Sequence, residues 1–143
     1  MIGAVTLRLL GRDRVIQGGP FDDYLPPAIG VCLEVRSVRV GEATLVLPVD
    51  DFGAPSQDEL AVGLRDLMKL MAERPNVPIY IGCRAGIGRT GMMIAALAKL
   101  AGSPQPVDWV RTHYHPDAVE TSLQVTAIEG LDVAQVLMDR PEG

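Results

Sequence analysis

The chain has 143 residues and a net charge of −5, and it is 48% hydrophobic but only 4% aromatic. A single domain of this size can bury a real core, which here must be aliphatic and sulfur-containing. The acidic balance argues against a nucleic-acid or anionic-membrane binder acting by general charge, and no apolar run is long enough to span a bilayer.

Residues 1–10 lack the length and cleavage pattern of a secretory signal, and two cysteines far apart fit a reducing, cytoplasmic setting better than a disulfide framework. Residues 4–10 and 14–17 read as short strands, bracketed by Gly11-Arg12-Asp13 and Gly18-Gly19-Pro20, which predicts an edge hairpin. Residues 21–27, with two acids and two prolines, are loop-like. Residues 29–35 read as a buried strand holding Cys32. Plain core packing is the expectation for that thiol; the sharper alternative is a resolving thiol for Cys83.

Residues 44–49 form the next strand, and Asp50-Asp51-Phe52-Gly53-Ala54-Pro55 follows it. These two acids are either charges at a helix start or a proton donor on a mobile loop. Ser56-Gln57-Asp58-Glu59 is a capping box that opens a helix to about Ala72. Leu60, Leu64, Leu67, Met68 and Met71 fall at helical spacing and should face the core.

The most informative stretch is Val77-Pro78-Ile79-Tyr80-Ile81-Gly82-Cys83-Arg84-Ala85-Gly86-Ile87-Gly88-Arg89-Thr90-Gly91. A run of β-formers ends at a cysteine, a glycine-spaced loop follows, and residues 92–101 read as a buried helix. Strand, tight loop and helix N-terminus together build an oxyanion cradle from successive backbone N–H groups. The same groups and the helix dipole favour a thiolate at Cys83, the form that attacks phosphorus. Gly86 and Gly88 keep side chains out of the phosphate's place. Arg89 can grip two phosphate oxygens with its planar fork. Thr90 can donate a hydroxyl hydrogen bond to the sulfur.

Two rival readings fit less well. Gly86-Ile87-Gly88-Arg89-Thr90-Gly91 matches a dinucleotide fingerprint, but the acid near the required distance, Asp108, lies in a Pro-flanked segment that reads as helix rather than at a strand end. A Walker-type loop fails because Cys83 replaces its first glycine and Arg89 its lysine.

Residues 106–113 read as a short helix with Trp109 and Val110 packing inward. His113, His115, Asp117 and Glu120 invite a metal-site reading, against which a solvated loop is the simpler expectation. Thr121 and Gln124 form a second capping box, opening an amphipathic helix from 121 to about 139. Strands alternating with helices after position 43 predict an α/β fold with a central, mostly parallel sheet flanked by helices, in one domain over 1–143.

Cys83, Arg89 and Thr90 resemble the Cys-x5-Arg-Ser/Thr loop of the cysteine-dependent protein tyrosine phosphatase superfamily. Pro48-Val49-Asp50-Asp51-Phe52-Gly53-Ala54-Pro55 resembles the acid loop of its small dual-specificity members, where proline precedes the acid by three positions. That resemblance selects Asp51 as general acid. It covers roughly positions 14 to 139. It implies a dual-specificity phosphatase-like fold, Cys83 as nucleophile, and phosphate bound by Arg84, Ala85, Gly86, Ile87, Gly88 and Arg89. It also suggests that Gln124 helps place the hydrolytic water. One departure stands out: the family usually has histidine before the cysteine, and this chain has Gly82.

The expected protein is therefore a monomeric phosphomonoester hydrolase needing no metal or cofactor. Its expected substrates are a phosphorylated protein, through phosphotyrosine first and phosphoserine or phosphothreonine second, or a small phosphoester. The alternatives are a phosphoinositide or inositol-phosphate phosphatase, and a slow or inactive phosphate-binding module. Arg84 leaves the inositol option open, and Ile87, where a second basic residue often stands, weakens it.

Overall fold

Along Gly3–Leu9 (β1) every second residue from Val5 onward is buried, as a strand with one covered face requires. This strand pairs antiparallel with Arg12–Pro20 (β2), completing the expected hairpin. The computed structural model describes residues 1–138 and contains a sheet of five strands, ordered β1-β2-β5-β3-β4, with β3 at Ile29–Cys32, β4 at Leu45–Val46 and β5 at Ile79–Cys83. All pairings except β1 with β2 are parallel, so the sheet is mixed and mostly parallel, with β5 at its centre.

Alternation along the central strands sorts the two faces. Ile79 and Ile81 of β5, Ile29 and Val31 of β3 and Ile16 of β2 join the main core. That core also takes the buried residues of Gln57–Glu73 (α1), Gly88–Leu100 (α2), Pro106–His113 (α3), Ser122–Glu129 (α4) and Val133–Met138 (α5). The opposite face carries Tyr80 and Cys32, covered by Phe21, Tyr24 and Ala28. There the Phe21 and Tyr24 rings stack with centroids 4.9 Å apart.

Helix α1 begins where its capping box places it, with the Glu59 amide donating to Ser56 Oγ at 3.1 Å and the Ser56 amide to Glu59 Oε1 at 2.9 Å. Leu60, Leu64, Leu67, Met68 and Met71 are all buried, in agreement with their spacing. Helix α2 is buried on nearly every side, Arg89 and Thr90 included, and it starts at Gly88, ahead of the buried stretch 92–101. Its first turn therefore belongs to the glycine-spaced loop.

Other boundaries also differ from the sequence expectation, for tertiary reasons. Strand β2 continues through Gly18 and Gly19, read as turn residues, because the Tyr114 ring and the Tyr80 hydroxyl fill the space their side chains would occupy. The strand expected to reach 35 stops at Cys32, because the chain beyond it turns so that the Glu34 carboxylate accepts the Arg36 amide at 3.0 Å; the one expected to reach 49 ends at Val46, although the Leu47 and Val49 amides still donate to the Cys32 and Leu33 carbonyls. The final helix is broken after Gly130, and Asp132 Oδ1 accepts the Gln135 amide at 3.1 Å to open α5. Position 139 lies outside the described residues.

Candidate active site

Cys83 is the last residue of the central strand, so its side chain emerges at the carboxyl edge of the sheet, where parallel architectures collect ligands. The backbone then turns through Gly86 at φ +81°, a conformation that suits glycine. A Cβ there would also overlap the Gly19 backbone, so the loop closes tightly on the end of β2. That turn directs the Gly86 amide at Cys83 Sγ, 3.3 Å away, and the first turn of α2 brings Thr90 Oγ1 to 3.1 Å from the same sulfur. Two donors on one sulfur stabilise negative charge there. The Tyr114 hydroxyl donates to the Gly86 carbonyl and holds the turn from outside. Burial, and then the nearby Cys83, pushes the Tyr114 phenol up, which keeps it a donor.

Arg89 is buried, and its fork is anchored before any ligand arrives. Nη1 donates to the Val49 carbonyl at 2.6 Å and Nη2 to Glu34 Oε1 at 3.3 Å. Glu34 is itself buried and also accepts Arg36 Nη2 at 2.9 Å and Arg36 Nε at 3.1 Å. The Arg36 hydrogen bonds foremost, with a smaller share from Arg89, hold the Glu34 carboxyl down at about 2. Glu34 sits inside an apolar run whose pattern predicts strand, so local pattern alone does not mark it as a functional residue. A charge within such a run was the available signal.

Asp51 Oδ1 lies 3.8 Å from Arg89 Nε, and its carboxylate is half-exposed at 45%. Its loop turns sharply, with Phe52 at φ +63° and the Phe52 amide donating to Asp51 Oδ1 at 3.1 Å. Two residues at the start of the fourth helix fasten that turn. Thr121 Oγ1 donates to the Phe52 carbonyl at 2.9 Å, and Gln124 Nε2 to the Gly53 carbonyl at 3.1 Å. Gln124 is fully buried, and its Oε1 accepts the Glu120 amide at 2.7 Å. Only the Thr121 half of the expected capping box forms, with the Gln124 amide donating to Thr121 Oγ1 at 3.3 Å, because both ends of the Gln124 side-chain amide are engaged by Glu120 and Gly53 instead.

The remaining loop residues divide by exposure. Arg84 and Ala85 are exposed, Gly86 and Gly88 buried, and Ile87 lies between. Cys83 and Arg84 form one wall of a cavity of about 330 Å³ that Asp22, Glu34, Arg36 and Ser37 complete. Gly82 has no room for a side chain, since a Cβ there would stand 2.7 Å from the Phe21 nitrogen and Cα. Cys32 pairs with Gly82 across the β3–β5 ladder and lies in the aromatic cluster, on the face opposite Cys83. Its thiol donates to the Glu34 carbonyl at 3.1 Å, and burial pushes it up. The residues of the metal-site reading have local partners: His113 stacks on Trp109, and His115 Nδ1 accepts the Asp117 amide at 3.0 Å. Glu120 lies instead against Gly88 of the cradle.

A cysteine at the exit of a central parallel strand, cradled by a loop running into a buried helix, defines the fold of the cysteine-dependent phosphatases. More narrowly, the chain has the dual-specificity type of that fold, and residues 32–102 match the family model described as "Polymorphic toxin system, DSP-PTPase phosphatase". Over 81 residues, 57% of its length, the chain is 33% identical to each of two uncharacterized proteins of Methanocaldococcus jannaschii. It spans about half the length of those relatives, 50% and 54%. A crystal structure of a mutant form of Tk-PTP superposes with a TM-score of 0.68 at 24% identity, covering 94% of this chain and 97% of that one. Kinase associated phosphatase (KAP), with its catalytic cysteine substituted by serine, gives 0.61 at 16% identity, covering 89% and 92%. At such identities the likeness is one of fold. Among the described residues no helix is long and apolar enough to cross a membrane.

Proposed function

We propose that the chain hydrolyses phosphomonoesters through a phosphocysteine, acting foremost on phosphotyrosine in proteins and also on phosphoserine and phosphothreonine. The observation that carries this reading is the pair of donors on one sulfur, Thr90 Oγ1 at 3.1 Å and the Gly86 amide at 3.3 Å. In the first step Cys83 attacks phosphorus, the ester P–O bond breaks, and Asp51 gives its proton to the departing oxygen. The loop amides and Arg89, already oriented by Val49 and Glu34, stabilise the charge on the equatorial oxygens. In the second step water cleaves the S–P bond and returns the sulfur to its two donors.

Arg84 and Arg36 beside the cavity suit acidic neighbours of the phosphorylated residue. The test is hydrolysis of nitrophenyl phosphate followed by a panel of phosphopeptides and inositol phosphates. Cys83→Ser should abolish turnover while retaining substrate binding. Turnover that survives this change would overturn the reading, and a preference for inositol phosphates would reassign the substrate.

A further inference from the structure

Resting on the reading above, we infer that Glu120 is a second catalytic carboxylate, the base that takes the proton of the hydrolytic water when phosphocysteine is cleaved. Its carboxylate lies against the phosphate-binding loop so closely that a Cβ at Gly88 would overlap Glu120 Oε1. Gly88 is the loop residue just before Arg89, and its lack of a side chain is what admits the acid. Among the described residues no hydrogen bond or ion pair engages that carboxylate, so it reaches the cradle uncommitted.

The backbone that presents it is held on several sides. Val119 adopts φ +59°, an uncommon conformation for a β-branched residue. Arg111 fastens this turn through Nε to the Ala118 carbonyl at 3.0 Å and Nη2 to the Val119 carbonyl at 2.7 Å. Ala118 packs on Gly91, where a Cβ would overlap it, and the Glu120 amide is bound by Gln124. A cavity of about 460 Å³ opens beside Glu120, bordered by Ile87, Arg111 and Asp117. It meets the cradle at Ile87.

The arrangement divides the labour. Asp51 approaches Arg89 from the acid loop, whereas Glu120 approaches the cradle at Gly88. The Gln124 amide is spent on Glu120 and Gly53, which makes Gln124 a positioning residue. In the second step the water oxygen bonds to phosphorus as the S–P bond breaks, and the bonding pair returns to Cys83 as thiolate. The water's proton passes to Glu120, and hydrogen phosphate leaves.

Rapid-mixing kinetics with nitrophenyl phosphate test this assignment. Glu120→Gln should release a burst of nitrophenol approaching one per protein, then turn over roughly 10²-fold or more slowly than wild type. Intact mass after acid quench should show phosphoenzyme accumulating. In Glu120→Ala, added formate should restore phosphoenzyme decay, which a purely structural role would not allow. An unchanged steady-state rate, or a loss without burst, phosphoenzyme or rescue in either variant, would overturn the assignment. Activity of Cys83→Ser reports separately on the phosphocysteine itself: persistence there sinks the underlying mechanism, whereas its loss alongside a burst-free Glu120→Gln sinks only the role of Glu120.

Discussion

Phe21 and Gly82 approach so closely that the Cβ of any other residue at position 82 would stand 2.7 Å from the Phe21 nitrogen and Cα. The obstacle is backbone, which cannot swing aside as a flexible side chain can. The histidine that usually precedes the cysteine in the superfamily therefore has no room here, and the sulfur takes its hydrogen bonds from Thr90 and Gly86. Gly82→His should destabilise the fold by about 1–3 kcal/mol, the usual penalty of overpacking. Urea unfolding measures it; a variant as stable as wild type would mean that the aromatic face yields more easily than its geometry indicates.

Thr90 is the closer of the two donors to the sulfur. Thr90→Val, which keeps the shape and removes the hydroxyl, should slow both alkylation of Cys83 and steady-state turnover, by roughly 10-fold for one hydrogen bond to a charged atom. Thr90→Ser should retain most of both. Equal rates in the Val and Ser variants would remove the hydroxyl from the mechanism.

Glu34 supplies a pH signature. Its carboxyl is held at about 2 in the folded chain, below its ordinary value of 4.5. A depressed acid binds fewer protons folded than unfolded, so its stabilising share is present above about 4.5 and is lost as pH falls toward about 2. Glu34→Gln should flatten the acid side of the stability curve, read by thermal unfolding at a series of pH values. The same change frees Arg89 Nη2 and should raise KM for aryl phosphates. A variant whose stability falls as steeply in acid as wild type would place the linkage elsewhere.

Asp51 is tested by its leaving group. Asp51→Asn should lower the rate by roughly two to four decades for phosphotyrosine or phosphoserine esters. For nitrophenyl phosphate, whose phenolate departs readily, the loss should be much smaller. Equal losses on both would argue that Asp51 acts through Arg89, 3.8 Å away, rather than by proton transfer.

Cys32 and Cys83 lie on opposite faces of the sheet, so a direct bond between them requires the central ladder to open. Peroxide-treated protein, mapped by mass spectrometry under non-reducing conditions, should contain no bridge joining them. Finding that bridge would return Cys32 to the role of resolving thiol.

Local pattern was enough to determine the α/β class, the capping box at Ser56, the core stripe from Leu60 to Met71, and the strand–loop–helix around Cys83. Each is encoded within a few neighbouring residues, as alternation, helical spacing or a glycine that permits a turn. Only the tertiary structure decided that Gly18 and Gly19 are strand, that Glu34 anchors Arg89, and that Glu120 reaches the cradle while Gln124 is spent on the acid loop. The partners in those contacts stand up to 96 positions apart, Gly18 against Tyr114, and no local periodicity carries such information. A glycine reads as a turn until another element's ring is found in the space its side chain has vacated.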